Sequence, residues 1–259
     1  MLNKFGGETY IIAHRGASHE APENTIPSFE LAFKENADFI EGDFRLTKDG
    51  KVVCIHDALT KRTAPGQKNF RVSKRTYDEL LELDFGLWKR EKYTGIKIPT
   101  LEEILKIIPR GKGIVIELKE KNIELVRAIK SIIEELNFPL EKIFFISFHT
   151  EAILNVIKEI KNAKALWLYD WRYSFRKKKS SKTEQKIISK IKALGCGGID
   201  INATQNLSFS FVEKLRADGF ALLTYTIDDL DLALKLFDLG VDGITTNYPG
   251  KIRKALAEK

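Results

Sequence analysis

The sequence predicts a (β/α)8 barrel. Eight short apolar stretches of strand length alternate with amphipathic stretches of helical period, which matches the element order of this fold. The length of 259 residues also suits such a barrel. The main alternative is a doubly wound open sheet, which usually has fewer strands and a glycine-rich first turn. Here the first turn reads HRGASHEAPENT, so the barrel is the better prediction.

The predicted strands and helices alternate along most of the chain. The strands are expected at residues 10–14, 38–44, 113–119, 143–148, 163–169, 198–202, 220–227 and 243–246. Helical period marks residues 24–36, 99–109, 122–136, 150–160, 184–195, 208–219 and 228–240. A helix therefore follows nearly every strand.

Two segments do not fit the eight-fold alternation. Residues 58–98, after the second strand and its return arm at 51–57, are predicted to form a small insertion. Residues 171–186 form a polar, basic stretch that we expect to be a loop. Both segments follow strand C-termini, so in a barrel they lie on the face where active sites form. We see no linker, so residues 1–259 are predicted to be a single domain.

Composition restricts the class of protein. Apolar residues make up 43% and charged residues 31%, which suits a globular chain with a substantial core. The net charge of +7 favours anionic partners without choosing among them. Two cysteines are too few for a disulfide framework. The first residues lack an apolar signal segment, and no apolar run reaches membrane-spanning length, so we expect a cytoplasmic protein without stable membrane insertion.

Residues 40–57, IEGDFRLTKDGKVVCIHD, place acids inside a predicted strand. The TKDG segment is a turn signal between two strand-like runs. If the loop residues are Asp49 and Gly50, position 43 pairs with 56; if they are Lys48 and Asp49, position 41 pairs with 56. In either register Glu41, Asp43 and His56 share one face, because side chains alternate along a strand.

Other predicted strands end in residues of the same kind. The first ends at His14 and Arg15, and the third carries Glu117 and Lys119 on one face. In a barrel these groups meet the hairpin residues at the C-terminal mouth. Three carboxylates suit a hard divalent cation such as Mg²⁺ or Ca²⁺, and two histidines suit acid–base catalysis. Together with the two cations, this set predicts metal-assisted phosphoryl chemistry.

These motifs resemble the glycerophosphodiester phosphodiesterase family. AHRGASHEAPENTIPSFELAF is similar to its opening signature, and FIEGDFRLTKDGKVVCIHD to its E-x-D…DG…HD block. IVIELK, ISF and LGVDGITTNYP resemble later blocks, so the resemblance covers nearly the whole chain. The motifs are specific as an ordered set, whereas each one alone is weak.

The resemblance implies a phospholipase C-like phosphodiesterase barrel that hydrolyses glycerophosphodiesters to an alcohol and sn-glycerol 3-phosphate. It implies a divalent cation on Glu41, Asp43 and Glu117. It also implies that His14 and His56 act as acid and base, and that Arg15 and Lys119 contact the phosphate. One route proposed for the family begins with attack by the glycerol 2-hydroxyl, which forms a cyclic phosphate that water then opens.

Two positions depart from the family pattern. Tyr225 stands where a tryptophan usually forms a wall on the glycerol side, so an aromatic face is kept but substrate preference is expected to shift. Asn247 stands where an aspartate is common, and we expect that difference to be neutral.

Other functions remain as alternatives. The first is a lysophospholipase D-like or other phospholipid phosphodiesterase on the same barrel, with the insertion and basic stretch as an interfacial surface. A phosphate-binding module without catalysis would be expected to lack part of the set. Nucleic-acid binding is disfavoured because unmetallated acids would repel a phosphate backbone. The expected partner is therefore a small-molecule glycerophosphodiester, and the oligomeric state is not predicted.

Overall fold

The computed structural model describes residues 9–170, 181–203 and 207–258. Eight parallel strands close into a barrel, since the first strand pairs with both the second and the last. A ninth strand pairs antiparallel with the second alone. The (β/α)8 prediction is confirmed, as is the prediction that the return arm near residues 51–57 is not a barrel strand.

The strands lie close to their predicted positions. In chain order they are β1 (Tyr10–Ala13), β2 (Phe39–Leu46), β3 (Val52–Cys54), β4 (Gly113–Leu118), β5 (Ile143–Ser147), β6 (Lys164–Tyr169), β7 (Gly198–Asn202), β8 (Ala221–Tyr225) and β9 (Gly243–Thr246). Around the barrel the order is β1, β2, β4, β5, β6, β7, β8 and β9. Because all eight run in the same direction, their C-terminal ends form one mouth.

Helices follow the barrel strands on the outside. They are α1 (Ile26–Lys34), α2 (Tyr77–Leu81), α3 (Leu101–Ile107), α4 (Ile123–Glu135), α5 (Thr150–Glu159), α6 (Ser181–Leu194), α7 (Phe209–Ala217), α8 (Leu230–Asp238) and α9 (Pro249–Ala257). The last helix was missing from the predicted set, and it begins at a proline, as helices often do.

The predicted basic loop at 171–186 is only partly testable. Residues 181–186 belong to α6, so that part of the loop prediction is wrong: the helical period of the segment extends further toward the N-terminus than its polarity suggested. Residues 171–180 lie outside the described part of the chain. Among the described helices, none is both long enough and apolar enough to cross a bilayer.

The segment between β3 and α3 has a small core of its own. It contains α2 and three single-turn 3₁₀ helices, Thr60–Arg62, Val72–Lys74 and Glu91–Tyr93. Its buried side chains include Phe70, Leu80, Leu83, Phe85 and Ile98, with Val53 and Ile55 from the return arm. This core attaches the segment to β3, beside the mouth of the barrel.

Apolar side chains pack on both sides of the barrel wall. Inside, nine buried side chains fill the lumen: Ile12, Phe39, Val115, Phe144, Ile146, Leu166, Leu168, Ala221 and Leu223. A larger layer lies between the strands and the outer helices and includes Phe29, Phe44, Phe145 and Phe211. Because the lumen is packed with side chains, ligands have access to its C-terminal mouth and not to a pore.

Candidate active site

A cavity of about 190 Å³ opens at the C-terminal ends of the strands. Seven of the eight predicted site residues line it: His14, Arg15, Glu41, His56, Glu117, Lys119 and Tyr225. Asp43, the eighth, is fully buried and contacts Arg15 and Lys119 of the lining. The barrel therefore brings the whole predicted set together, although its members are far apart in sequence.

The turn after β1 orients the backbone of Arg15. This residue has a φ of +55°, a region that costs free energy for any residue except glycine. In this conformation the Arg15 N–H donates a hydrogen bond to Glu41 Oε2 at 2.9 Å. The next residue, Gly16, also has a positive φ, and a Cβ there would lie 2.4 Å from Ser28 Oγ. A glycine is therefore required where the turn packs against α1.

Three carboxylates meet at the ends of β2 and β4. Asp43 and Glu117 are paired in the parallel register of these strands, and Glu41 precedes Asp43 by two residues on the same face. One oxygen from each of the three lies within 4.8 Å of the others. All three side chains are buried, so their charges are close together and poorly screened.

Asp43 is the carboxylate with the most cationic partners. Arg15 Nε lies 3.1 Å from Asp43 Oδ2, and Lys119 Nζ lies 3.3 Å from Asp43 Oδ1. Asn24 Nδ2 donates a further hydrogen bond to Asp43 Oδ2 at 2.8 Å. Burial would raise the pKa of Asp43, but the charges of Arg15 and Lys119 outweigh it and hold the pKa below its ordinary value.

Glu41 and Glu117 are shifted in the opposite direction. Burial and the neighbouring carboxylates raise the pKa of Glu41 well above its ordinary value. The same two causes raise the pKa of Glu117 to about 7, although Lys119 Nζ lies 2.6 Å from its Oε1. The three acids lie beside the side chains of Arg15 and Lys119, and the buried Glu41 Oε1 has no hydrogen-bond partner among the described residues. This arrangement fits a divalent metal ion with oxygen ligands.

The hairpin of β2 and β3 has a register that neither prediction included. Phe44 pairs with Cys54 and Leu46 with Val52, so residues 48–50 form a three-residue loop. Gly50 has a φ of +81°, the conformation that closes such loops. Both predicted two-residue loops are therefore wrong. Continued past β3, this register sets position 56 opposite 42, on the other face from Glu41.

His56 reaches the cavity because the chain leaves the ladder. β3 ends at Cys54, and residues 56–58 form a bend. Arg45, on β2, secures this bend by donating from Nη2 to the His56 carbonyl oxygen at 2.7 Å. Strand alternation thus gave the correct location for His56 by an incorrect route, since the imidazole is placed by a bend and not by pairing.

A chain of ion pairs holds the His56 side chain. Its Nδ1 lies 2.6 Å from Asp57 Oδ1, and Arg62 Nε lies 2.6 Å from the other oxygen of Asp57. The guanidinium of Arg62 also contacts both carboxylate oxygens of Glu23 at 2.8 Å, and Arg15 Nη1 contacts Glu23 at 2.9 Å. One arginine of the insertion thus connects the partners of His56 and Arg15.

A second polar chain orients His14. Its Nδ1 lies 2.8 Å from Asn247 Oδ1, and Asn247 Nδ2 lies 2.6 Å from Asp228 Oδ2. Because an ionised carboxylate only accepts, it sets the amide orientation, and the amide oxygen then accepts from His14 Nδ1–H. His14 Nε2 is therefore the unprotonated nitrogen. An aspartate at 247 would set two carboxylates 2.6 Å apart, so the expectation that asparagine is neutral at this position stays a prediction to be tested.

Both imidazoles have lowered pKa values. For His14 the causes are burial and the charge of Arg15. For His56 burial is the largest cause, and the charges of Arg15 and Lys119 add to it. Burial therefore favours the neutral form of His14 near pH 7, whereas for His56 the carboxylates of Asp43 and Asp57 oppose the lowering of the pKa. The other two histidines lie outside the cavity lining: His19 Nδ1 lies 2.8 Å from the Asn247 carbonyl oxygen, and His149 is exposed at the N-cap position of α5.

Several residues of the site were missed from the sequence. Asp170 and Asp200 line the cavity from the ends of β6 and β7, and Asn24, Asp57 and Asp228 support residues that were predicted. A signal for Asp200 existed, since an acid within GIDIN has the same pattern as Glu117 within GIVIEL. The supporting residues are in loops, where no strand period indicates which way a side chain points.

Comparisons with known proteins agree with this site. Residues 14–251 match the model of the glycerophosphoryl diester phosphodiesterase family. A glycerophosphodiester phosphodiesterase of Bacillus subtilis (strain 168) is 32% identical over 264 residues, covering 94% of this chain and 85% of that protein. One from Caldanaerobacter subterraneus subsp. tengcongensis is 32% identical over 259 residues, covering 93% and 95%.

Solved structures show the same architecture. An Oleispira antarctica phosphodiesterase, in complex with the product sn-glycerol-3-phosphate, superposes with a TM-score of 0.83 at 29% identity, over 96% of this chain and 97% of that one. A glycerophosphodiester phosphodiesterase from Agrobacterium tumefaciens gives 0.79 at 25% identity, over 95% and 99%. Together, the family match, the sequence relatives and the shared fold place this chain in the glycerophosphoryl diester phosphodiesterase family.

Proposed function

We propose that the protein hydrolyses glycerophosphodiesters to an alcohol and sn-glycerol 3-phosphate with a divalent cation bound to Glu41, Asp43 and Glu117. The observation that carries this proposal is the meeting of these three buried carboxylates, within 4.8 Å of one another, beside two cationic side chains and two imidazoles in one cavity. The Oleispira antarctica relative, whose complex contains sn-glycerol-3-phosphate, supports the substrate class.

The cation is proposed to be Mg²⁺ or Ca²⁺, since all three ligands offer carboxylate oxygen. When bound, it would offset the negative charge of the carboxylates and polarise the phosphodiester. Arg15 and Lys119 would hold the non-bridging phosphate oxygens. Both line the cavity, and the acids beside them keep them charged: the pKa of each is raised, against the effect of burial, by nearby carboxylates, Asp43 first.

His14 is proposed to be the general base. Its Nδ1–H is held by the amide oxygen of Asn247, which leaves the lone pair of Nε2 available to take a proton. The lowered pKa keeps this nitrogen unprotonated near neutrality. In the first step the glycerol 2-hydroxyl loses its proton to His14, and its oxygen forms a bond to phosphorus.

His56 is proposed to be the general acid. Its Nδ1 faces the carboxylate of Asp57, which favours the protonated imidazole more than a neutral amide does. As the bond from phosphorus to the leaving alcohol breaks, His56 gives a proton to the alkoxide. A cyclic glycerol phosphate remains, and attack by water with the two histidines in reversed roles opens it to sn-glycerol 3-phosphate.

Metal dependence tests the proposal. With a soluble glycerophosphodiester, we expect activity to be lost in EDTA and restored by Mg²⁺ or Ca²⁺. His14→Ala and His56→Ala should each lower turnover by at least about 10²-fold, whereas His149→Ala is the matched histidine control. Activity that survives EDTA, His14→Ala and Glu41→Ala would refute the assignment. Quench experiments should detect the cyclic phosphate; its absence, together with ¹⁸O from water in the first phosphate product released, would exclude this route.

A phospholipid substrate is the second candidate. Phe148 lines the cavity and is 46% exposed, so an apolar surface lies at the mouth, where an acyl chain could contact it. Comparing rates on glycerophosphoethanolamine with rates on lysophospholipid micelles separates the two candidates.

A contribution of Tyr225 to the glycerol wall is proposed from its place in the lining. The single-domain organisation, cytoplasmic location and absence of nucleic-acid binding stay predictions.

A further inference from the structure

Asp200 points into the barrel at the mouth of β7. Its neighbours in the parallel register are Leu168 on β6 and Leu223 on β8, and both belong to the apolar cluster that fills the lumen. Because residues in register share a face, Asp200 also faces inward. The residue is 1% exposed and lines the same cavity as the carboxylates and histidines.

Among the described residues, Asp200 has no ion pair of the kind that Asp43 and Glu117 have. Asp43 has two cationic partners and Glu117 has Lys119, whereas Asp200 Oδ1 has no hydrogen-bond partner in the part of the chain that the structure describes. A buried polar atom without a hydrogen-bond partner destabilises the folded protein. A fold retains such an atom most readily where a ligand completes its hydrogen bonding.

The position of Asp200 indicates which part of a ligand it meets. The cationic groups that would hold a phosphate lie just after β1 and β4, while Asp200 is on β7, across the mouth. Ile146, Leu168 and Tyr225 also line the cavity and offer mainly carbon surface. The cavity, of about 190 Å³, has room for a small ligand only. A small carbon skeleton with hydroxyl groups matches this wall.

We propose that Asp200 accepts a hydrogen bond from a hydroxyl group of the glycerol moiety and thereby selects glycerol-containing ligands over alkyl phosphates. This inference rests on the proposed function. Either protonation state of a carboxyl group can accept from a hydroxyl. Burial and the charge of Glu117 raise the pKa of Asp200 to about 8, which agrees with a neutral donor such as a hydroxyl and not with an ammonium group.

Ligand binding tests this without turnover. Calorimetry on the Mg²⁺-loaded protein would compare sn-glycerol 3-phosphate with n-propyl phosphate, which has the same carbon skeleton but no hydroxyl groups. The variants are Asp200→Leu and Asp200→Ala. The control is Asp242→Asn. Asp242 is a partly buried acid that lies just before β9, at the opposite end of the barrel, and accepts a hydrogen bond from the Leu222 N–H.

We expect both Asp200 variants to bind sn-glycerol 3-phosphate about tenfold more weakly, with n-propyl phosphate changed less than about twofold. Asp242→Asn should leave both affinities unchanged. Equal affinity of the original protein for the two ligands would overturn the inference, as would equal weakening of both ligands in the variants. If the Asp200 variants bind 2-hydroxypropyl phosphate more weakly than the original protein does, and 3-hydroxypropyl phosphate equally well, the contacting group is the 2-hydroxyl.

Stability gives a second readout. Because Asp200 has no described ion pair to lose and its buried Oδ1 has no hydrogen-bond partner, Asp200→Leu should raise the melting temperature of the metal-free protein while it weakens sn-glycerol 3-phosphate binding. A lower melting temperature with unchanged ligand discrimination would assign Asp200 a structural role and refute the proposal. Failure of the protein to hydrolyse any glycerophosphodiester would instead remove the proposed function, which the binding data do not measure.

Discussion

Replacing Asn247 by aspartate tests the orientation of His14 most directly. The substitution keeps the shape of the side chain but replaces the amide that donates to Asp228 Oδ2 at 2.6 Å with a second carboxylate. It also replaces the neutral oxygen at His14 Nδ1 with a charged one, 2.8 Å away. The double variant Asn247→Asp, Asp228→Asn exchanges the two groups, so the hydrogen bond between them is restored with its direction reversed.

The magnitude follows from the strength of the new contact. A hydrogen bond to a charged group contributes about 1.5–3 kcal/mol and a neutral one about 0.5–1.5 kcal/mol, so the exchange favours protonated His14 by about 1–1.5 kcal/mol. One pKa unit corresponds to about 1.4 kcal/mol, which predicts a His14 pKa raised by about one unit. At a pH below the acidic limb, activity should therefore fall about tenfold.

Two measurements follow the pKa of His14. The acidic limb of the kcat/KM profile, recorded at saturating Mg²⁺, should move to higher pH in the double variant. Because the chain has only four histidines, NMR titration of the imidazoles can assign the shift to His14 with His14→Gln as the reference. The single variant Asn247→Asp should also lose stability, through repulsion from Asp228, and the double variant should regain it. An acidic limb that stays in place or moves to lower pH in the double variant would refute the role of Asn247.

Three further predictions concern the cation site and the insertion. Glu41→Gln should abolish the rise in melting temperature that Mg²⁺ or Ca²⁺ causes. The metal-free variant should be at least as stable as the metal-free original protein, since burial raises the pKa of the Glu41 carboxyl well above its ordinary value. A cation-induced rise that persists in the variant would exclude Glu41 as a ligand. In EDTA, Glu117 should contribute stability that is fully present below pH about 4 and lost as the pH rises through about 7, because its folded-state pKa is raised. Glu117→Gln should therefore flatten this part of the profile of melting temperature against pH. An unchanged slope in this variant would contradict the prediction. Arg62→Gln should lower kcat/KM about tenfold by releasing Asp57 and Glu23, and it should lower stability only slightly, because exposed ion pairs contribute about 0.2–1 kcal/mol each. The control is Arg71→Gln, an exposed arginine of the same insertion. Equal losses of kcat/KM in both variants would rule out a specific role for Arg62.

Local patterns in the chain were enough to predict the barrel and most of its site. Each barrel strand is an apolar run of almost the observed length, and nearly every one is followed by a helical period, so most of the order of elements can be deduced without contacts. Parallel strands place their C-terminal ends together, so His14, Glu41, Asp43 and Glu117 were predicted to meet. Period two then correctly placed Glu41 and Asp43 on one face of β2.

Features that depend on contacts between distant segments could not be deduced in this way. The hairpin register depended on whether Gly50 would adopt a positive φ, and the placement of His56 depended on the bend after β3. The orientation of His14 rests on Asn247 and Asp228, which are more than 200 residues away in the chain. The sequence shows that Asp200 is an acid in an apolar strand, but only the packed barrel shows that it lines the cavity and that its Oδ1 has no hydrogen-bond partner among the described residues. A residue's chemical type and period are local properties, whereas its partners are set by packing of the whole chain.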